Sequence, residues 1–343
     1  MKLRNPARNI AENVGNNNKK MRQSILIVFF SLSLTSCFNS KREPRNNVFR
    51  PEFDISNDNK NIVCSYYEND KAIVYQIDIR TNKKQRLTPT SIYSFIRPVF
   101  SPDSKQVACI AEPLTDNLKS KILLLDITTK ALNELTNDSL LILECIFDPS
   151  GKSIYFSASK YYGNYSPIAR KAPHEIDIYN VDINSKKVSQ ISNFNSYNLH
   201  GLSITNNGDS LLFNLVSKEK NGFFLMDIVS KKLVQIAAIN DLRAEKKLTP
   251  YEYYSPVLSR DNSKIAFSEP YELYIMDRQT GISKLIFRNE PSLVNVGDFK
   301  FFYKYNYLML TIPTISTNKN SSGDNFEFYT LNPETNEIKV LDL

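Results

Sequence analysis

Hydrophobic and polar positions along this chain fall into a pattern that returns five times. ISNDNKNIVCSY begins at Ile55, FSPDSKQVACIA at Phe100, FDPSGKSIYFSA at Phe147, ITNNGDSLLFNL at Ile204 and LSRDNSKIAFSE at Leu258. Each copy is an apolar residue, a polar turn of about six residues, then an alternating apolar run. Ser, Pro, Asp, Asn and Gly supply turn dihedrals, and β-branched or aromatic residues suit the flanks, so the pattern predicts a hairpin.

A second pattern trails each hairpin: IVYQIDIRTNKKQRLT from Ile73, ILLLDITTKALNELT from Ile122, DIYNVDINSKKVSQIS from Asp177, FFLMDIVSKKLVQIA from Phe223 and LYIMDRQTGISKLIF from Leu273. An apolar run ends at Asp78, Asp126, Asp182, Asp227 or Asp277, a short turn follows, and a shorter strand closes the unit. Each unit is thus four antiparallel strands. The anchors at 55, 100, 147, 204 and 258 are separated by steps of 45, 47, 57 and 54 residues, the period of propeller blades. A worn sixth copy runs from Asp298, with DFKFFYKYNYLMLTI as the first hairpin and FYTLNPETNEIKVLDL as the second, and Asn332 stands at the aspartate's place. The expected fold is all-β: a six-bladed β-propeller of four-stranded antiparallel blades over 53–343, monomeric; the chain begins on an inner strand and ends on an outer one, which leaves the mode of ring closure open, packing without a shared strand being one. The five aspartates read as turn-openers accepting backbone amide hydrogens two residues on, not as a metal ring.

Composition then removes some functions. The chain has 343 residues, 19 Tyr, 20 Phe and no Trp, which suits a β core. Its formal charge of +7 suggests nucleic acid, yet residues 1–36 hold Lys2, Arg4, Arg8, Lys19, Lys20 and Arg22 against Glu12, leaving +2 for the remainder. So mild a balance gives no footprint for DNA or RNA.

Residues 1–36 read as a signal segment. Basic Lys19, Lys20 and Arg22 precede an apolar core from Ile25 to Leu34, too short for a bilayer span of ~20 residues. Leu34-Thr35-Ser36-Cys37 matches the bacterial lipobox, which implies acylation of Cys37 (palmitate among the chains) as the membrane anchor, with 37–52 as the lipidated tether. Because Met1–Lys20 is polar, translation is expected to start at Met21. No Asp follows Cys37, so the outer membrane facing the periplasm is the expected location, with cell-surface display as the alternative.

Three further cysteines remain, Cys64, Cys109 and Cys145; they read as small core hydrophobes with no obligatory disulfide. His174 and His200 lack partners at ligand spacing and read as incidental loop residues, so neither metal nor cofactor is expected. A Gly-x-Ser-x-Gly elbow is missing too, which argues against a serine hydrolase.

FSPDSKQVACIA and FDPSGKSIYFSA, each trailed by the apolar-Asp-turn segment, resemble the WD-like repeats of the TolB family, also found in prolyl oligopeptidase propellers. The resemblance covers roughly residues 50–343. It implies a non-catalytic propeller that binds peptide or protein in the envelope. TolB itself has an α/β domain before its propeller and works with a peptidoglycan-associated lipoprotein; this chain has about fifteen residues, Phe38 to Glu52, ahead of its first blade, and the α/β domain is expected to be absent.

Strand order places the a–b and c–d turns on one face and the b–c and d–a connections on the other. The long connections all belong to the second set: EPLTDNLKSK after Ala111, 160–175, 237–255 and 313–325. Binding residues concentrate on such loops. Two are rich in Tyr and basic residues, giving Tyr161, Tyr162, Tyr165, Arg170 and Lys171, and Arg243, Tyr251, Tyr253 and Tyr254, as candidate contacts, while Lys246 and Lys247 read as solvated. Two functions fit: a non-catalytic envelope scaffold binding a protein or peptide, or a glycan-binding or glycan-processing (lyase or hydrolase) lipoprotein in which aromatic loops stack on sugars. A carboxylate pair in the central channel would favour an enzyme.

Overall fold

The computed structural model describes residues 48–114, 119–164, 171–236, 254–269, 271–289, 296–304, 306–314 and 325–343. These form six four-stranded antiparallel sheets, each of four consecutive strands in chain order. Blade 1 is β1 (Val48–Ile55), β2 (Asn61–Glu68), β3 (Lys71–Asp78) and β4 (Lys84–Arg86); blade 2 is β5 (Tyr93–Phe100), β6 (Gln106–Pro113), β7 (Lys121–Asp126) and β8 (Leu132–Glu134). Blade 3 is β9 (Leu141–Phe147), β10 (Ser153–Asn164), β11 (Lys171–Asp182) and β12 (Val188–Gln190); blade 4 is β13 (Asn198–Ile204), β14 (Ser210–Val216), β15 (Asn221–Asp227) and β16 (Leu233–Ile236). Blade 5 is β17 (Tyr254–Leu258), β18 (Lys264–Glu269), β19 (Glu272–Asp277) and β20 (Ser283–Arg288); blade 6 is β21 (Phe299–Phe301), β22 (Leu308–Thr314), β23 (Asn325–Asn332) and β24 (Glu337–Leu341). The fold is an all-β, six-bladed propeller.

Every apolar anchor is the last residue of an inner strand, and every repeated aspartate is the last residue of a third strand. The turns explain the repetition. Four residues after each anchor, Asn59, Ser104, Gly151, Gly208 and Asn262 all have φ between 56° and 75°, a left-handed conformation that Gly and Asn adopt most readily. The aspartates act alike: Asp78 Oδ1 accepts from the Arg80 and Thr81 amides, Asp126 Oδ1 from Thr128 and Thr129, and Asp227 Oδ1 from Val229 and Ser230. Asp182 and Asp277 each accept from the amide three residues on, Ser185 and Thr280. Asn332 accepts from Glu334.

Inner faces of neighbouring blades share apolar clusters. The ring closes where blade 6 meets blade 1 without a shared strand: Phe328 lies edge-on to Phe49 at 5.5 Å and to Phe53 at 5.4 Å, and Thr311 Oγ1 donates to the Pro51 carbonyl. Cys64, Cys109 and Cys145 are buried and free, and burial pushes the Cys64 and Cys145 thiols up to about 12.

Three sequence readings change. The first strand starts at Val48, so residues 48–52, assigned to the tether, are propeller. The connection at 160–175, read as a loop, is in its described part a continuation of the blade: β10 and β11 stay paired from Ser159↔Ile176 to Asn164↔Lys171, because Tyr161, Tyr162 and their neighbours extend the strand pattern beyond the blade edge. His174 and His200, read as loop residues, lie in β11 and β13.

Candidate functional site: the central channel

The six inner strands β1, β5, β9, β13, β17 and β21 surround a cavity of about 470 Å³. Because alternate residues of a strand face the same way, the anchor numbering sorts its wall into three rings. Three residues before the anchors stand Glu52, Arg97, Glu144, Gly201 and Ser255, with Asp298 equivalent in blade 6. One residue before the anchors are Asp54, Val99, Ile146, Ser203, Val257 and Lys300; two residues after them, at the tight turns, are Asn57, Pro102, Pro149, Asn206, Arg260 and Tyr303. All eighteen line the cavity, which therefore reaches the tight-turn end of the propeller.

The innermost ring is an ion network. Arg97 of blade 2 reaches both neighbours, with Nη2 3.4 Å from Glu52 Oε1 and Nη1 3.6 Å from Glu144 Oε1. Glu52 also holds Arg50 at 3.0 Å. Burial opposes the charge on Glu52, but Arg97 and Arg50 outweigh it and hold the carboxyl below its usual range. Burial opposes the Arg97 charge in the same way, and Glu52, Glu144 and Asp298 together raise its pKa. Arg97 achieves this reach with φ of 49°, at the register break between Ile96 and Val99, and Gly201 and Ser255 have φ of 69° and 51° at the same point of blades 4 and 5. Such a bulge re-aims a side chain without ending the strand.

This ring and the one above it stitch blades together. Asp54 Oδ2 accepts from the Phe100 amide at 2.9 Å, Glu144 from the Gly201 and Leu202 amides at 3.2 and 2.9 Å, Ser203 Oγ from Leu258 at 3.2 Å, and Asp298 Oδ2 from Phe53 at 3.5 Å. In each case a wall side chain receives the amide of the next blade's inner strand. Burial raises the Asp54 carboxyl, with Arg260 and Lys300 pulling the other way; it raises Asp298 too, against Lys300 and Arg97. Lys300 Nζ stands 3.9 Å from Asp298 Oδ2, and the Arg260 guanidinium lies 3.3 Å over the Tyr303 ring. Behind the ring, burial lowers His200, with Glu144 opposing.

Of the candidate contacts predicted from loop composition, Tyr161, Tyr162 and Lys171 do not line the cavity. Tyr161, Tyr162 and Lys171 are exposed on the projecting β10–β11 hairpin, with Tyr161 paired across it to His174. Tyr254 opens β17. Tyr165, Arg170, Arg243, Lys246, Lys247, Tyr251 and Tyr253 lie outside the described residues, as do the signal segment, Met21 and Cys37. The channel residues went unnamed because no motif marks them; counting back three from each anchor spells Glu, Arg, Glu, Gly, Ser, Asp, and that count was the available signal. Among the described residues no group of three or more His, Cys, Asp or Glu is placed to hold a metal ion.

Comparison with known proteins agrees with this geometry. The family model of the TolB beta propeller domain matches residues 40–243. This chain belongs to that family. No curated protein sequence matches it closely enough to count as a relative. Among solved structures, TolB from Acinetobacter baumannii superposes with a TM-score of 0.58 at 16% identity, covering 87% of this chain and 65% of that one. The chain thus spans just under two thirds of that relative's length. Oligogalacturonate lyase from Vibrio parahaemolyticus gives 0.56 at 11% identity, over 88% of this chain and 79% of that one. A gluconolactonase from Xanthomonas campestris gives 0.55 at 10%, over 78% and 84%. At such identities the structural likenesses establish the fold, which hosts both binding proteins and enzymes.

Proposed function

We propose that this member of the TolB propeller family is a non-catalytic scaffold of the bacterial cell envelope. In this reading it is held by lipid on Cys37 to the outer membrane, faces the periplasm and binds a protein or peptide partner. One observation supports binding over catalysis: among the described residues, every carboxylate lining the channel already has a structural partner. Glu52 and Glu144 hold Arg97, Asp54 and Glu144 accept backbone amides of the next blade, and Asp298 accepts the Phe53 amide beside Lys300. Groups so committed position blades; a general acid or base needs a proton it can exchange with substrate. β1 runs from the long-connection end to the tight turns, so Val48 lies at the end remote from the cavity's tight-turn opening.

A glycan-processing reading stands second. It is favoured by the raised Asp54 and Asp298 carboxyls beside Lys300, and by two structural neighbours that are a lyase and a lactonase. The experiment is a crosslinked pull-down from envelopes with three proteins: native, one whose hairpin 163–172 is replaced by Asn-Gly, and Ser203→Trp, which fills the cavity. A defined protein captured by the native form and lost in one variant supports the scaffold and locates its surface. Capture of no protein by the native form overturns it, and turnover of a glycan abolished by Asp54→Asn would establish the enzyme.

A further inference from the structure

Outside the ion network, the cavity holds a corner whose cations are not matched as Arg97 is. Arg97 sits between two carboxylates. Lys300 has its acid, Asp298, at 3.9 Å, the outer limit of pairing. Arg260 makes no ion pair within 4 Å among the described residues, Asp54 acting on it only at longer range; it stacks over Tyr303, and its buried Nε has no hydrogen-bond partner. Both cations stand at lining positions, Arg260 at the tight-turn opening and Lys300 one ring deeper on the next blade. Blades 4 and 5 contribute the small lining residues Gly201 and Ser255 where the other blades place Glu, Arg or Asp, and Ser203 lies one ring nearer the opening. A volume of about 470 Å³ falls in the range of small-molecule sites, roughly 300–1,000 Å³.

We propose that this corner binds a carboxylate group, received by Arg260 and Lys300 beside Tyr303. A guanidinium fork stacked on an aromatic ring matches a planar two-oxygen anion. The nearby Asp54 and Asp298 select against a more highly charged group, because each further negative charge adds repulsion in a cavity shielded from bulk water. Monoanionic carboxylate therefore fits better than phosphate. The chemistry is shared by free organic acids and by a peptide's C-terminus, and it does not depend on the scaffold reading, since the cations are present whether or not a protein docks.

The test is ligand-induced thermal stabilisation of residues 37–343, with propionate, neutral propionamide, inorganic phosphate, tetra-alanine and C-terminally amidated tetra-alanine as probes. Stabilisation by propionate or free-acid tetra-alanine, at least tenfold weaker in Arg260→Gln and in Lys300→Met and only partly retained in Arg260→Lys, which keeps the charge but not the fork, confirms the site. The acid that binds identifies whether the group comes from a small acid or a chain end. Equal response to the uncharged partners, a stronger response to phosphate, no response to either acid, or full binding by both charge-removed variants overturns it. Circular dichroism of each variant separates lost binding from lost fold.

Discussion

At the scale of single residues, two backbone positions per blade decide which side chains the sequence tolerates. The residue four after each third-strand aspartate, and after Asn332 at the same place in blade 6, has positive φ: Asn82, Lys130, Lys186, Lys231, Gly281 and Asn336, all between 54° and 73°. A lysine there is strained by about 1 kcal/mol or more. Lys130 is the worst placed, since its Nζ is also buried without a hydrogen-bond partner and burial lowers its pKa. Lys130→Gly is therefore expected to raise unfolding free energy by about 1 kcal/mol in urea titration, relief of strain and of the unsatisfied ammonium exceeding the entropy glycine adds to the unfolded chain. Asp54 gives a second prediction, read against pH. Its native pKa is raised above the ordinary 3.8, so the native state binds more protons and the ionised group weakens the fold as pH climbs from about that value towards the raised one. Asp54→Asn keeps an oxygen for the Phe100 amide and lacks this slope. Variant and native stabilities should converge below the ordinary value, and the variant should be the more stable at pH 7; a constant difference across the range would refute the assignment.

At the scale of the strand and blade, Arg97 is the element that joins three blades. Removing it as Arg97→Met leaves Glu52 and Glu144 facing each other across the channel, and the loss should be about 2–3 kcal/mol, below the figure for a fully buried pair because Arg97 is 37% exposed to the cavity. The sign with pH follows from Glu52, whose pKa is held below its ordinary 4.5. The contribution is full above that value and disappears as pH falls through the lowered one, so native and variant should draw together in acid. Denaturation at pH 7 and at pH 3 checks both. Blades themselves were legible in the sequence to the residue: Ile55, Phe100, Phe147, Ile204 and Leu258 end inner strands because alternation and turn chemistry are local properties that a repeat writes out several times. The channel was not, for a physical reason. Glu52, Glu144 and Asp298 look like ordinary surface carboxylates in a strand of period 2, and only ring closure, which brings six strands distant in sequence around one axis, turns their solvent face into a cavity wall. The hairpin at 160–175 was missed by the converse effect, Gly163 and Pro173 reading as loop punctuation although the pairing runs through them.

At the scale of the whole molecule, the consequence of closing the ring without a shared strand is a seam. No backbone ladder joins any two blades, but blades 6 and 1 also lack the chain connection that links each other neighbouring pair, and cohesion there rests on Phe328 against Phe49 and Phe53, on Asp298 accepting the Phe53 amide, on Thr311 bonding the Pro51 carbonyl and on Asn59 accepting the Tyr303 amide. Phe328 is 1% exposed, so Phe328→Ala should cost about 3–5 kcal/mol. Magnitude alone would not identify a seam, because Phe213→Ala in blade 4, equally buried, should cost as much. Location separates them. If the seam is where the ring opens, native-state hydrogen exchange in the Phe328 variant should accelerate first in β1 and β21–β23 while β9–β15 keep their protection, as expected of a sub-global opening; the Phe213 variant should lose protection without that bias. Uniform acceleration in both would mean that the propeller opens as one unit and that the packed contact closes it as firmly as a shared strand. The seam also borders the proposed carboxylate corner, since Asp298, Lys300 and Tyr303 all belong to the blade 6 hairpin that meets β1. A ligand bound there should slow opening of the seam, and exchange in β1 with and without it would show the coupling directly.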